Sequence, residues 1–317
     1  MKVDFIKKEL LLVLAITFIV TQGYSQFKIA KEPSKIISSN EIRFMNANWS
    51  PDGGKIAFSS EKYMGLWVSD DEGNNVRMIT SDMSAGFSYL WSSDSKTILA
   101  RPVIVENDRR YSQIATYSVN DNKKTVLIDK SRNIKSLPVW IDGDARVAVL
   151  INDGVQKINS GKTVLNKNST IDKTELLGRN IVKTEKPISI SNPKFEGRYI
   201  FNLVQSPNGN KVVFQVNGLG LYVSNSDGSD LKYIGRGEQA SWMPDNKNVV
   251  VTMVKDNGEV FTSGDIEVVN VITGENISLL SNKKYIALNP SISSDGKKIL
   301  FDNANDGAIY LLEIEKY

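Results

Sequence analysis

The chain contains neither histidine nor cysteine, and this absence limits the chemistry that its 317 residues can perform. Without histidine there is no Ser-His-Asp triad and no imidazole ligand for a metal. Without cysteine there is no disulfide, no thiolate nucleophile and no lipidated cysteine. Chemistry based on carboxylates, lysine, tyrosine or serine stays open. From the absence of histidine and cysteine we nevertheless expect no catalytic residues, no metal-binding residues and no cofactor.

Three kinds of short segment resemble motifs that carry chemistry, and each departs from the pattern that the chemistry needs. Residues 161–163 (Gly-Lys-Thr) lack the earlier glycine of a phosphate-binding loop. Residues 93–96 have the serine–lysine spacing of acyl transferases, but they lie in a turn. The acidic turns 70–75, 225–230 and 302–306 lack the alternating ligands of a helix-loop-helix calcium site. A structural calcium ion at such a turn is the alternative to simple turn chemistry.

The adjacent residues Arg109 and Arg110, followed by Tyr111, are the best candidates for a binding site. Two neighbouring guanidinium groups suit a carboxylate or a phosphate. Aromatic and charged residues also gather in loops that the repeat described below places on the same face, and this composition is typical of interaction hot spots. The complete set of candidate ligand-binding residues is Glu61, Tyr63, Phe87, Tyr89, Arg101, Arg109, Arg110, Tyr111, Arg236, Glu238 and Tyr285.

The loops that carry these residues belong to a sixfold repeat. Each copy has a first residue that is apolar or Trp in all but the fourth, a turn rich in Ser, Pro, Asp, Asn and Gly, and a short run of strand-forming residues, as in WSPDGGKIAF at 49–58. The turn residues favour a hairpin, and the run is apolar on both faces, so both faces should be buried between neighbouring sheets. The leading Trp should pack between blades. The copies begin at Trp49, Trp91, Trp140, Gln205, Trp242 and Ile292.

The remainder of each repeat predicts two further strands, which makes a four-stranded blade. The last copy ends after its third strand, and residues 27–37 precede the first copy without a partner of their own. We expect that segment to supply the missing strand and to close the ring, because closure removes an exposed sheet edge. The predicted fold class is therefore all-β: a six-bladed β-propeller of four-stranded antiparallel blades, closed by an N-terminal strand that completes the last blade.

The chain divides into an N-terminal targeting segment and one domain. Residues 1–25 have a basic start, an apolar run at 10–20 and small residues before Gln26, which predicts a secretory signal peptide. An uncleaved N-terminal anchor is the alternative. Residues 26–317 form the single propeller, with an insertion or a long connection at about 166–198. We expect an exported protein, periplasmic or secreted, that is not a lipoprotein and has no transmembrane segment after cleavage.

The repeat resembles the TolB-type propeller repeat. The resemblance rests on WSPDGGKIAF at 49–58, followed by LWVSD at 66–70 and a Gly-Asn turn, and it covers about residues 27–317. Related repeats occur in the propeller domains of prolyl-oligopeptidase-like proteins. We expect the chain to depart from both groups, without the N-terminal domain of TolB and without a hydrolase domain. The resemblance implies an interaction module of the envelope or of the medium.

These observations predict a non-catalytic propeller that binds a protein or peptide in the cell envelope. The alternative is a carbohydrate or small-molecule binder, or a glycan-processing enzyme with carboxylates at the channel mouth, for which Glu61, Glu106, Glu238 and Glu259 are available. A sensor or structural module within a larger assembly is a third possibility. Nucleic acid is not expected as a partner, because the net charge is only +3 and both signs are mixed along the chain.

Overall fold

A computed structural model describes residues 27–163, 173–184, 186–281 and 283–317. The predicted signal peptide at 1–25 lies outside the described residues. Among those residues the chain forms 26 strands and two short 3₁₀ turns, Glu61–Tyr63 and Pro193–Phe195. No helix in this part of the chain is long and apolar enough to cross a membrane.

The strands form six blades in chain order. Blade one contains β2 (Phe44–Trp49), β3 (Lys55–Ser60), β4 (Met64–Asp70) and β5 (Arg77–Thr80). Blade two contains β6 (Leu90–Trp91), β7 (Thr97–Ala100), β8 (Val103–Glu106), β9 (Arg109–Ser118) and β10 (Lys124–Ser131). Blade three has three described strands, β11 (Val139–Ile141), β12 (Arg146–Ile151) and β13 (Gly154–Asn159).

The remaining blades each have four strands. Blade four contains β16 (Ile200–Gln205), β17 (Lys211–Val216), β18 (Gly220–Asn225) and β19 (Lys232–Gly235). Blade five contains β20 (Glu238–Trp242), β21 (Asn248–Asp256), β22 (Phe261–Asn270) and β23 (Asn276–Leu280). Blade six contains β24 (Ala287–Ile292), β25 (Lys298–Asn303), β26 (Ala308–Lys316) and the N-terminal strand β1 (Phe27–Ile37).

The blades pack face to face in a ring, which confirms the predicted six-bladed β-propeller. The first strands of neighbouring blades lie against one another, as β2 does against β24 and β20 against β24, so they surround the central channel. Alternate residues of a strand pack against opposite neighbours. On β25, Leu300 packs against Ile56 and Phe58 of blade one, while Phe301 packs against Val250 of blade five.

Strand β1 closes the ring as the sequence predicts. It runs antiparallel to β26, from the pair Phe27 and Lys316 to the pair Ile37 and Ile309. Its two ends are anchored in the core, because Phe27 is 5% and Ile37 is 2% exposed. The first and last described segments of the chain therefore share one blade.

A further hairpin, β14 (Thr174–Leu177) and β15 (Asn180–Lys183), lies between blades three and four. Ile181 packs against Ile141 and Ala148 of blade three, while its neighbour Val182 packs in the cluster of Phe214 in blade four. This alternation is the same as in the blades. The hairpin falls within the segment 166–198 that the sequence marks as irregular, and it fills the space between two blades.

The repeated turns have a common hydrogen-bond pattern that explains their sequence. In the first copy, the Ser50 hydroxyl donates to the Asp52 carboxylate over 2.6 Å and accepts from the Lys55 amide over 2.9 Å. The serines at 92, 206 and 293 make equivalent bonds. Bonds between the turns also link neighbouring blades, because the Asp52 amide donates to the Ser95 hydroxyl over 3.0 Å.

The repeated tryptophans lie between blades, as predicted. The Trp242 indole N–H donates to the Val204 carbonyl of blade four over 2.9 Å, and Trp91 and Trp140 make longer bonds of the same kind. Trp49 is similarly buried, but its indole N–H has no partner among the described residues. The repeated tryptophan therefore packs between blades and also forms a hydrogen bond in three blades, whereas in blade one it only packs.

We predict that Trp242→Phe destabilises the protein more than Trp49→Phe. Both changes remove similar apolar area, but only the first removes a hydrogen bond, that to the carbonyl of the half-buried Val204, which costs on the order of 1 kcal/mol. Urea denaturation of the two variants measures the difference in their free energies of unfolding. Equal losses would show that the inter-blade bond contributes nothing.

Candidate functional site

Most of the candidate ligand-binding residues lie on one face of the ring, which we call the upper face. It carries the turns between the second and third strands of each blade and the connections between blades. The opposite, lower face carries the repeated serine–aspartate turns. Because those turns are occupied by hydrogen bonds within and between blades, the upper face has the more varied surface.

Two hairpins rise above the rest of the upper face. In blades one, four and six the second strand ends at Ser60, Val216 and Asn303, eleven residues after the first residue of each repeat. In blade five β21 runs three residues further, to Asp256, and in blade two β8 ends four residues further, at Glu106. At about 3.3 Å per residue, the hairpins rise roughly 10 and 13 Å higher. Blades two and five lie on opposite sides of the channel.

The hairpin β8–β9 carries the paired arginines at its tip. Its turn residues Asn107 and Asp108 have φ angles of 50° and 58°, the left-handed pair that a two-residue hairpin turn requires. Arg109 and Arg110 follow the turn and are exposed, and neither has an ion-pair partner among the described residues. Beside them Val105 is 52% exposed.

The second raised hairpin, β21–β22, presents apolar rather than cationic residues. At its tip Val260 is 62% and Phe261 is 43% exposed. The acid Glu259 also lies on this tip and is exposed. Exposed apolar side chains on a projecting element favour contact with a partner surface.

An aromatic pair lies between these hairpins around the channel mouth. Tyr63, in the 3₁₀ turn with the exposed Glu61, packs edge to face on Phe87 with 5.0 Å between ring centroids. Phe87 is 38% exposed, and so is Met64. The structure thus brings two of the predicted aromatic residues together in one apolar patch.

Two of the predicted residues are buried inside the blades and do not lie at the surface. Tyr285 is 3% exposed and packs edge to face on Phe301 and Tyr310, inside blade six. Tyr89 is 4% exposed, and its hydroxyl lies 2.6 Å from the Ala57 carbonyl oxygen. Neither ring is available to a ligand at the surface.

The other predicted residues remain at the upper face but are dispersed. Arg236 is exposed in the connection between blades four and five, and Glu238 is half-buried at the start of β20. Tyr111 is half-buried on β9, with the Lys130 ammonium 5.9 Å from its ring centroid. The Glu106 carboxylate accepts a hydrogen bond from the same ammonium.

The sequence analysis missed a polar feature of the innermost strands. Three residues before the start of five repeats, the backbone adopts a left-handed conformation, with φ between 49° and 56°. In four of these blades the pairing with the second strand shifts at this point, as in a β-bulge. The residues are Asn46, Ser88, Asn202, Gln239 and Asn289.

A second set of polar residues lies beside these bulges. The residue ten positions after the start of a repeat is polar in every blade but the third, and it lies on the second strand or, in blade two, directly after β7; we call this set the polar ring. Its members are Ser59, Arg101, Gln215, Thr252 and Asp302. The two sets interact, because the Asn202 amide donates to the Gln215 side chain over 3.0 Å.

Asp302 is the most perturbed member of the polar ring. It is 4% exposed, and its carboxylate accepts hydrogen bonds from the Asn46 backbone amide over 3.0 Å and from the Asn289 side chain over 2.8 Å. Burial raises the pKa of this carboxyl to about 7, since no cation compensates for its desolvation. A buried carboxyl of this kind is a marker of functional sites as well as of structural networks.

Two further members of the ring have incomplete polar contacts. Arg101 donates to the Ser136 carbonyl over 3.2 Å and has no carboxylate partner among the described residues, and burial lowers the pKa of its guanidinium. The Thr252 hydroxyl is fully buried without a hydrogen-bond partner in the described part of the chain. The ring therefore holds opposite charges and an unsatisfied hydroxyl around one channel.

The motif-like segments of the sequence take part in packing between blades. The Lys162 ammonium binds the Asp94 carboxylate over 2.9 Å, and the Ser93 hydroxyl donates to Asp144 over 2.6 Å. In the turn 70–75, the Asp70 carboxylate accepts from the Asn74 amide over 2.7 Å. Within the described ranges, no group of three acidic residues is arranged to hold a metal ion.

Comparisons with solved structures place the chain among propellers. A protein of unknown function from Bacteroides thetaiotaomicron is similar over 92% of this chain and 77% of its own, with 9% identity and a TM-score of 0.55. An oligogalacturonate lyase in complex with manganese matches 92% of this chain and 96% of its own, with 12% identity and a TM-score of 0.50. The chain shares its fold with these two proteins. At such identities the likeness concerns the fold alone.

TolB from Acinetobacter baumannii is also similar, as the repeat suggested. The match has 12% identity and a TM-score of 0.46 over 86% of this chain, and the chain spans 63% of the length of that protein. No protein-family model matches the sequence. No curated protein matches it either.

We predict that Asp302→Asn removes a pH dependence of stability. The folded pKa of about 7 lies above the ordinary value of 3.8, so Asp302 contributes stability at low pH that is lost as the pH rises to about 7. The free energy of unfolding of the wild type should therefore fall relative to that of the variant between pH 5 and 7, by at most about 1.4 kcal/mol per pH unit.

Urea denaturation at several pH values measures this difference. Asp295→Asn is the matched control. The hydrogen bond from the Ser293 hydroxyl lowers the pKa of Asp295, so this carboxyl does not titrate between pH 5 and 7. Parallel pH profiles for the wild type and Asp302→Asn would contradict the assignment.

Proposed function

We propose that this chain is an exported, non-catalytic binding module that holds a protein or peptide partner on its upper face in the cell envelope. The observation that carries the proposal is the raised hairpin β8–β9, whose tip combines an exposed valine and two exposed arginines that have no ion-pair partner in the described part of the chain. Arginine beside apolar area is typical of residues that dominate binding energy. The two-residue turn holds the tip in a fixed position, so little entropy is lost on binding.

The other features of the upper face support the same proposal. The exposed residues Phe87, Val260 and Phe261 provide apolar area around the channel mouth, at the places where a partner that covers the mouth would rest. The proposed export rests on residues 1–25, whose basic start and short apolar run are typical of a secretory signal. The propeller itself supports a binding module in general terms, because its loops can vary while its blades stay packed.

A second candidate function is the binding of a carbohydrate or another small polar ligand in the channel. The observation that favours it is the set of partly or fully exposed amide side chains on the innermost strands, at Asn46, Asn202, Gln239 and Asn289. Amide groups both donate to and accept from hydroxyl groups. A thermal-shift screen with oligosaccharides tests it: a ligand should raise the melting temperature, and Asn202→Ala should reduce that rise. A screen without any rise would remove this candidate.

We predict that the double variant Arg109→Ala/Arg110→Ala recovers its partner from envelope extract at least about tenfold less than the wild type, because each truncated hot-spot arginine costs on the order of 1–2 kcal/mol of binding energy. The measurement is a pull-down with the mature propeller, quantified by mass spectrometry. Thermal stability should be unchanged, since both side chains are exposed.

The matched control is Lys96→Ala/Lys297→Ala. It removes the same charge from exposed positions on the lower face. A partner that is recovered equally by the wild type and by the arginine variant would contradict the proposed site. A partner lost only in the lysine control would move the site to the lower face.

A further inference from the structure

Strand β8 has a free edge. It pairs with β9 and with no other strand among the described residues. The Val103 amide points away from β9, because it donates to the Met83 carbonyl over 2.8 Å. In an antiparallel pair the backbone groups alternate between the two edges, so the N–H and C=O of Val105 point to the same side as those of Val103.

This free edge faces the channel. Strand β7 lies between β9 and the innermost strand β6, and β8 continues upward from β7 on the same side of β9. The edge of β8 therefore stands above β6, at the rim of the channel mouth. The Met83 loop covers it beside Val103 only, and Val105 remains 52% exposed.

The surroundings of the edge favour an acidic occupant. Arg109 and Arg110 lie at its upper end, and Arg101 lies at its foot, and none of the three has a carboxylate partner in the described ranges. The one nearby acid on the strand, Glu106, is already bound to Lys130. An acidic segment bound here would supply carboxylates to these three guanidinium groups.

We propose that an extended acidic peptide segment binds by adding a strand to the edge of β8 at the channel mouth. The inference rests on the proposed function and specifies its partner and its binding mode. The backbone of the peptide bonds to the N–H and C=O of Val105, and its acidic side chains lie near the three arginines. The apolar tip of β21–β22, with the exposed residues Val260 and Phe261, stands on the other side of the mouth.

The test uses two capped synthetic hexapeptides, one alternating Glu and Val and the other alternating Lys and Val, and measures fluorescence anisotropy. The acidic peptide should bind at least tenfold more tightly than the basic one. Val105→Pro should weaken the acidic peptide at least tenfold, because proline removes an outward N–H that the β8–β9 pair does not use. Val105→Ala keeps that N–H and should change the affinity by less than about threefold.

A second measurement keeps the test valid if Val105→Pro fails to fold. An acidic peptide that is N-methylated at alternate residues loses its backbone donors on one edge, and it should bind the wild type at least tenfold more weakly when those donors pair with β8. Equal binding of the methylated and unmethylated peptides would overturn the inference. So would equal binding of the acidic and basic peptides, or no binding of the acidic peptide at ~1 mM.

The two proposals fail separately. If the pull-down depends on Arg109 and Arg110 while Val105→Pro recovers the partner as well as Val105→Ala does, the upper-face site stands and strand addition is wrong. If the acidic peptide binds with the predicted selectivity but no envelope partner depends on the arginines, the edge is a peptide site and the proposed envelope partner is wrong.

Discussion

Each sheet of this protein is apolar on both faces, and the rest of the structure depends on that constraint. A sheet with two apolar faces must be covered on both sides, and a row of such sheets exposes its first and last members unless it closes into a ring. The alternation of Leu300 toward blade one and Phe301 toward blade five shows how one strand serves both neighbours. Strand β1 completes the blade that would otherwise end the row.

The same constraint leaves the loops as the parts of the fold that are most free to vary. The strands and the lower-face turns are occupied by packing and by bonds such as that of Ser50 to Asp52, so a change there alters stability first. The upper-face connections also carry hydrogen bonds, such as that of Tyr117 to Asp82, but they differ from blade to blade in length and sequence. Blades two and five extend their hairpins there without disturbing the ring, and the exposed arginines and apolar tips arise in that added length.

The channel shows how the fold handles the polar groups that it must bury. Bulges in the innermost strands release backbone groups, and the polar ring receives some of them, as Asp302 does for the Asn46 amide. Burying the Asp302 carboxylate costs free energy because no cation lies beside it among the described residues, and its pKa is raised as a result. The varied membership of the ring, with an arginine in one blade and an aspartate in another, gives the channel an uneven distribution of charge.

Much of this fold could be predicted from the sequence, because the turn residues act locally and recur in six copies, four of which begin with tryptophan. The unpaired segment 27–37 was enough to predict closure. The bulges could not be predicted, since Asn46 and Gln239 share no sequence pattern beyond polarity. Equivalent positions of the polar ring emerge only once the strand register is known. The burial of Tyr285 was also hidden, because it depends on Phe301 and Tyr310, which follow later in the chain.

The exposure of the arginine pair could be predicted from the sequence, whereas the burial of Tyr89 and Tyr285 could not. Arg109 and Arg110 follow a turn whose residues strongly favour a hairpin, so the sequence places them at an exposed tip. The height of that tip, and the second hairpin across the channel, follow from strand lengths that composition does not reveal. The hairpin β14–β15 lacks the repeat altogether, and only its packing between Ala148 and Phe214 shows its place in the ring.

The central claim is that the partner is held at the raised hairpins, and site-specific photo-crosslinking in cells tests it most directly. A photoreactive residue replaces Val105 at the channel mouth or Val126 on the outer strand of the same blade, two valines that are 52% and 47% exposed. The account predicts a discrete cross-linked product from position 105 and none from position 126. Cross-links from position 126 alone, or equally from both positions, would contradict it.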